Sequence, residues 1–395
     1  MPFVIGRALN LIVLVGMLLL SACNTFPTNV SQPLALTPVP YAQLPGWRAD
    51  TQQAAWPALT SSCQTLLKRA SYGKLQDVRG GKAWQDSCRH ILSAPTPHTA
   101  LAAQALIERY FTPYQVNSGN SQGLFTGYYE PLTAGSLTRT AQYTVPVYGK
   151  PNTLVQKTLP DGSKQTLWKV DGHYVPLPTR AEIMQKPLPQ TPVLAWIHSP
   201  VDLYFMQVQG SGGIVLPNGK KILLGFIAQN GYSYYPIGRY LADKEGIARN
   251  QISMQWIRQW LTQHPNQVST VLNQDPSFVF FRVLKSDQPL GALGLPLSPG
   301  RSLAVDTHYT LLGTVLWLDT AYPKLIQGQY VTGPPLQRLM VAQDVGGAIK
   351  GPIRGDVFWG NGPAAQFYAG HMKSPGRLFI LLPRGLSPRN YNPSP

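Results

Sequence analysis

Ser302-Leu303-Ala304-Val305-Asp306 opens the last third of the chain, and its plan recurs there: a short apolar run, an abrupt end and an acid. Leu336–Ala342 follows the same plan and reaches Asp344 after Gln343, while Asp356 stands directly after the glycine-bracketed turn Gly351-Pro352-Ile353-Arg354-Gly355. Val315–Leu318 and Leu378–Leu382 are equally short and apolar. Runs of this length, joined by irregular connections, read as strands. Several in succession, without a repeat of fixed period or coiled-coil heptads, predict a small barrel.

Working outward, the β-prone texture begins at Gly123, with Leu124–Tyr129, Tyr143–Tyr148 and Leu167–Tyr174 around an Asp171-Gly172 turn, and returns at Phe278–Leu284. Two helices interrupt it. Thr179-Arg180-Ala181-Glu182 has the form of a capping box, and Ser253 precedes Met254, Ile257 and Leu261 at helical spacing. Gly210-Ser211-Gly212-Gly213 reads as a hairpin bend. Between Trp47 and Phe111 the pattern is helical, with runs at Gln64–Ala70 and at Thr99–Phe111, the latter capped by Thr99.

The chain starts with the features of an export signal: a short segment ending at Arg7, an apolar run Ala8–Leu20, then Leu20-Ser21-Ala22-Cys23. That run is shorter than the roughly 20 residues a spanning helix needs. The segment resembles a bacterial lipobox, so residues 1–22 are expected to be removed and Cys23 to carry acyl chains. Asn24 in the next position favours, by resemblance to lipoprotein sorting patterns, the outer membrane with the protein facing the periplasm. Residues 23–46, rich in Pro, Thr, Ser and Asn, read as a flexible tether. Cys63 and Cys88 are then an even pair in an oxidising compartment, either a disulfide or two buried thiols. With 33 Lys and Arg against 17 Asp and Glu, the formal charge is +16, which suits a polyanionic partner. Export excludes nucleic acid. Anionic lipid, an acidic wall polymer or a merely solvated basic face remain.

Acids are scarce enough to inspect singly, and Asp306, Asp344 and Asp356 sit at the ends of apolar runs or glycine turns in the last third. Each is either a rim carboxylate available for chemistry or an aspartate that caps its own turn. The other templates fail. The seven His are dispersed, without His-Glu-x-x-His or a Cys/His cluster, so no metal or organic cofactor is implied. There is no P-loop and no Gly-x-Ser-x-Gly elbow. Aromatic residues around Phe125–Tyr129 and at Phe358-Trp359 could stack on sugars or fill a core. Gln207, Gln209 and Ser211 are read as alternating onto one strand face, and Thr126 and Tyr128 onto another, as groove contacts or as ordinary sheet polarity.

These motifs, in order, carry a resemblance: Gly127-Tyr128-Tyr129-Glu130-Pro131, Pro200–Gly212, Met254-Gln255-Trp256-Ile257-Arg258, Pro276–Phe281, Gln343–Gly351 and Gly360-Asn361-Gly362-Pro363. From about Phe125 to about Leu382 the chain resembles the membrane-bound lytic murein transglycosylase A family, and its last third resembles a three-aspartate domain of cell-wall-active proteins. The resemblance implies a mainly β fold: a double-psi β-barrel assembled from residues 47–147 and 285–395, with a helical N-terminal section and a second β-rich domain inserted over 148–284. It implies that peptidoglycan glycan strands lie between the two domains, that Asp356 is the catalytic residue, and that Asp306 and Asp344 support it. It names no protein partner. The segment before Asp356 departs from some relatives, which have a shorter, His-containing turn.

A single acid is chemically sufficient for such a reaction. An ordinary glycosidase needs two carboxylates, one for the leaving oxygen and one to activate water or attack the sugar. The C6 hydroxyl of N-acetylmuramic acid is a nucleophile already held near C1 of its own ring. The acid must then start protonated, its pKa raised by burial or by a like charge such as Asp344, with Arg354 and Lys350 turned toward substrate or solvent. Two alternatives compete: a hydrolase of the same bond, and a murein-binding lipoprotein with a dead site, against which the retention of all three aspartates argues.

Overall fold

The computed structural model describes residues 34–68, 80–158, 164–186, 188–249, 251–326 and 329–391. The expected signal, Cys23 and the first part of the tether lie outside the described residues.

Residues 34–46, read as tether, are part of the folded body. β1 (Ala35–Pro38) pairs antiparallel with β2 (Phe111–Asn117), and Leu44 is buried. Pro-rich, uncharged sequence gave no strand pattern there, because an edge strand takes its order from its partner's hydrogen bonds rather than from its own alternation. Helices α1 (Trp56–Lys68), α2 (Gly81–Ser93) and α3 (Ala100–Tyr110) follow β1. The Thr99 hydroxyl accepts from Ala102 N at 3.2 Å, as its position before α3 predicts. Cys63 of α1 and Cys88 of α2 form a disulfide.

After β2 come β3 (Gly123–Glu130), β4 (Leu132–Ser136), β5 (Val145–Tyr148), β6 (Leu154–Thr158), β7 (Lys164–Val170) and β8 (His173–Val175). Asp171 and Gly172, both with positive φ (47° and 82°), make the tight turn between β7 and β8. Helix α4 (Arg180–Gln185) starts at Thr179, whose N and Oγ1 both donate to Glu182 Oε2 at 2.7 Å. Next are β9 (Val193–Ile197), α5 (Pro200–Gln209), β10 (Ser211–Val215), β11 (Lys221–Gln229), α6 (Ile237–Glu245), α7 (Met254–Gln263), α8 (Val268–Leu272) and β12 (Val279–Val283). The last third holds β13 (Ser302–Val305), β14 (Val315–Ile326), β15 (Gln329–Asp344), β16 (Arg354–Asn361), α9 (Pro363–His371) and β17 (Lys373–Pro383).

Strands β1-β2-β17-β14-β15-β13-β16-β3 form one eight-stranded sheet, and β3 also pairs with β17, so the strands from β17 round to β3 close on themselves. A second, six-stranded sheet runs β12-β11-β10-β4-β9-β5, and β6-β7-β8 form a third. Strands β4 and β5, which precede residue 148, belong to the second sheet. Gly210 is not a hairpin bend. It takes a positive φ of 75° as the C-terminal cap of α5, and Ser211–Val215 leaves it as β10.

The short apolar runs are continuous rather than alternating because their strands are covered on both faces. Leu316, Trp317 and Leu318 are all fully buried. Trp317 packs edge-on against Trp47 at 4.9 Å and donates to Pro45 O at 3.2 Å, so the N-terminal section covers one face of β14. Gln343 of β15 likewise donates to Ala58 O at 3.1 Å and Ser62 Oγ at 3.0 Å of α1. Since alternate strand residues face opposite sides, Gln343 under the helix sends Asp344 to the other side. At the foot of β13 the buried pair Arg301 and Asp50 meets twice at 2.8 Å, and Asp50 also accepts from Leu339 N at 3.0 Å.

Candidate active site

Register brings two of the three aspartates to one face. Ala304 of β13 is opposite Asp356 of β16 on one side and Asp344 of β15 on the other, with a bulge between Leu303 and Ala304. Neighbouring strands are about 4.8 Å apart, so the two acids sit roughly 10 Å apart by backbone with only a methyl side chain between them. On the far side of β16, parallel β3 sets Thr126 beside Asp356 and Tyr128 beside Phe358. Thr126 and Tyr128 do share one face, and each reaches one aspartate.

Asp356 Oδ1 accepts from Thr126 Oγ1 at 2.7 Å. Burial pushes its carboxyl above the usual range, against the pull of that hydrogen bond and of the Arg354 charge. Asp344 Oδ2 accepts from the Tyr128 hydroxyl at 2.8 Å, and its Oδ1 accepts from Ala292 N at 3.0 Å and Val345 N at 2.9 Å. Burial above all, with the charge of Asp356, pushes Asp344 up to about 6 despite these three donors. Burial, then the charge of Asp344, also raises Tyr128, which therefore stays a donor.

Asp306 has a different role. Its Oδ2 accepts from Gly351 N at 2.9 Å, and its Oδ1 meets His308 N at 3.1 Å and His308 Nδ1 at 2.7 Å. Burial opposes its charge, but the donors of Gly351 and His308 outweigh burial and hold the carboxyl below its ordinary value. Asp306 thus clamps the turn after β13 to Gly351, whose φ of 111° suits only glycine, and so fixes the approach to β16. This is the turn-capping role open to an aspartate at a strand end.

Other expectations need correction. Gln207, Gln209 and Ser211 do not alternate along a strand, because Gln207 and Gln209 are in helix α5. Ser199 accepts from Asp202 N at 3.2 Å, with Pro200 in the first turn; this Ser-Pro start and Gly210 at the end were the helix signals in the sequence. Gln207 is buried, receiving Arg180 Nη1 at 2.5 Å and donating to Val279 O at 2.9 Å, which places it in the core of the insert. Gln209 Oε1 accepts from Tyr129 N at 3.0 Å, and Ser211 is buried. Phe125, Tyr129 and Phe358 are core residues, whereas Trp359 is half-buried against Tyr322 and Tyr368. Arg354 does not turn away: its Nη2 donates to Thr126 Oγ1 at 2.9 Å, and its Nη1 to Gly355 O at 2.6 Å and Leu124 O at 3.2 Å. Arg354 and Asp356, two residues apart on one strand, share a face, which is the signal that would have found this arrangement.

The closed sheet carrying three aspartates has counterparts. The MltA specific insert domain matches residues 124–282, and the 3D domain matches residues 301–382, the stretch that holds Asp306, Asp344 and Asp356. A crystal structure of MltA from Neisseria gonorrhoeae is 34% identical, with 90% of this chain and 94% of that chain covered and a TM-score of 0.75. The chain belongs to the membrane-bound lytic murein transglycosylase A family. The membrane-bound lytic murein transglycosylase A of Escherichia coli strain K12 is 35% identical over 267 residues, 67% of this chain and 66% of that protein, so the alignment spans just under two thirds of that relative. A structure of E. coli MltA with bound chitohexaose is 28% identical, covers 89% of this chain and 95% of that one, and has a TM-score of 0.61. The relatives that carry this name are lytic murein transglycosylases. Both segments of the membrane-bound lytic murein transglycosylase A pattern meet at the site, because β3 lies in the first match and β13, β15 and β16 in the second.

Proposed function

We propose that the chain is a lytic transglycosylase that cuts the β-1,4 bond between N-acetylmuramic acid and N-acetylglucosamine in peptidoglycan, with Asp356 as its one acid and base. The observation that carries this reading is the Asp356 carboxyl: half-buried, raised, hydrogen-bonded through one oxygen to Thr126, and facing the same side as Asp344. A raised carboxyl holds a proton to give. Asp356 gives it to the glycosidic oxygen as the C1–O bond of the N-acetylmuramic acid breaks. The C6 hydroxyl of the same residue then closes on C1 and returns its proton to Asp356. The products are an N-acetylglucosamine end and a 1,6-anhydro end, the acid is regenerated, and no water is consumed.

The closed sheet, with its parallel β3–β16 and β13–β15 pairs, supports a double-psi β-barrel as its finer description. The glycan then runs across the face that presents Asp344 and Asp356, with Thr126 and Tyr128 bordering it and Gln209 at the edge of the insert. Chitohexaose on the E. coli relative supports a glycan strand as the occupant. The lipobox at Cys23 and the membrane-bound name of the relatives support a lipid anchor in the outer membrane, with the enzyme facing the periplasm.

Product chemistry tests the reaction directly. The soluble chain, digesting purified sacculi in water enriched in heavy oxygen, is expected to release anhydro-muropeptides free of the label. Labelled reducing ends would identify a hydrolase, and release of nothing would identify a binding protein.

A further inference from the structure

The Thr126 hydroxyl has one proton and two partners, Arg354 Nη2 at 2.9 Å and Asp356 Oδ1 at 2.7 Å. A guanidinium only donates, so the Thr126 oxygen accepts from Arg354, and the hydroxyl's own proton goes to Asp356 Oδ1, the acceptor that lies within its reach. We propose that Arg354 is a positioning residue which, through Thr126, keeps Oδ1 of Asp356 an acceptor and so leaves the acid's proton on Oδ2, the oxygen that meets the glycosidic bond. This rests on the reading of Asp356 as the acid.

The arrangement holds Arg354 rigidly. Its Nη1 is tied to Gly355 O on β16 and to Leu124 O on β3, so the planar fork spans the same strand pair that sets Thr126 beside Asp356. Lysine, with a compact charge on a flexible stem, lacks that geometry. Without Arg354 on one lone pair, nothing fixes the Thr126 hydroxyl, which is then free to turn its proton away and accept from Asp356. The acid proton then rests on Oδ1, facing β3 instead of the substrate.

The groups around Asp356 separate this effect from general electrostatics. Arg354 stands on its own strand, Tyr128 on β3 and Asp344 on β15, while Asp306 beyond β13 is engaged by Gly351 and His308. Lys373 of β17 is the register neighbour of Thr126 and is exposed, and α9 contributes Tyr368 and His371, whose Nδ1 meets Phe367 O. Besides Asp356 itself, Arg354 is the charged group among the described residues that reaches Thr126 by a hydrogen bond. Burial raises the Asp356 carboxyl, and the hydrogen bond from Thr126 and the charge of Arg354 lower it, so removing either lets it rise further.

Arg354→Met, Thr126→Val, the double variant and Thr126→Ser are compared with wild type by the rate of anhydro-muropeptide release against pH. Each of the first two is expected to lose about ten- to a hundredfold in kcat, with KM held within about twofold. Activity requires protonated Asp356 and falls as pH rises through its pKa, so this fall should move to higher pH in both. The double variant should be no worse than the worse single, because one residue acts through the other. Thr126→Ser, which keeps the hydroxyl, should restore the rate and the pH profile. A rise in KM alone, or losses that multiply in the double variant, would overturn the proposal by making the two residues independent glycan contacts. Asp356→Asn, run alongside, separates the two failures: full activity there defeats the acid assignment itself, whatever Arg354 and Thr126 do.

Discussion

Asp344 and Asp356 have the same side chain and the same face, yet their partners differ. Asp344 sits among three donors and titrates near 6, above the roughly 3.9 of an unfolded aspartate. Its raised value means that its contribution to stability is complete below about pH 4 and is lost as pH climbs toward 6, a difference on the order of 3 kcal/mol. Asp344→Asn removes that dependence. In urea unfolding the variant is expected to be more stable than wild type at pH 7.5 by about 2 kcal/mol, with no advantage at pH 4. Equal stability of the two proteins at pH 7.5 would contradict the raised carboxyl. The buried Arg301–Asp50 pair is a second residue-scale test: Arg301→Ala strands a buried carboxylate, with an expected loss of about 3 to 5 kcal/mol by the same measurement. Arg301→Met with Asp50→Leu should lose much less. Residues of this kind were partly legible in the sequence. Strand-end position singled out Asp306, Asp344 and Asp356, but only register could show that two face the site and the third clamps a turn.

At the scale of elements, the α1–α2 disulfide closes a loop with a sequence separation of 25, which in the loop-entropy account contributes about 3 to 4 kcal/mol. Cys63→Ala with Cys88→Ala is therefore expected to lower the free energy of unfolding by about that amount; an unshifted urea midpoint would contradict this. Elements with strong local chemistry were readable. Thr99, the Thr179–Glu182 box, Ser253 and the Asp171-Gly172 turn all mark ends where the structure has them. Helix α5 was misread because its apolar run is buried nearly all round and lacks a helical stripe, so period could not distinguish it from a strand. The lengths of β14 and β15 were also hidden: beyond Leu318 and before Leu336 they continue as a proline-containing hairpin, where polar and apolar residues do not alternate cleanly.

At the scale of the molecule, the parallel pairing of β3 with β16 joins residues 230 positions apart, and no local pattern encodes that. The order of motifs pointed to it only through resemblance to a family. The excess charge of +16 belongs to this scale too, since a basic surface raises the local concentration of an acidic wall polymer and is screened by salt. Binding of the chain to sacculi is expected to weaken as salt rises from 0.05 to 0.5 M, about 14 to 4 Å of Debye length, and sedimentation with sacculi measures it. The measurement that bears most directly on the mechanism is the digestion of sacculi by Asp356→Asn beside wild type, with bound protein and released muropeptides counted in the same tubes. A single-acid mechanism requires wild-type binding with anhydro-muropeptide release reduced by at least about a hundredfold. Release at the wild-type rate would mean that another group supplies the proton.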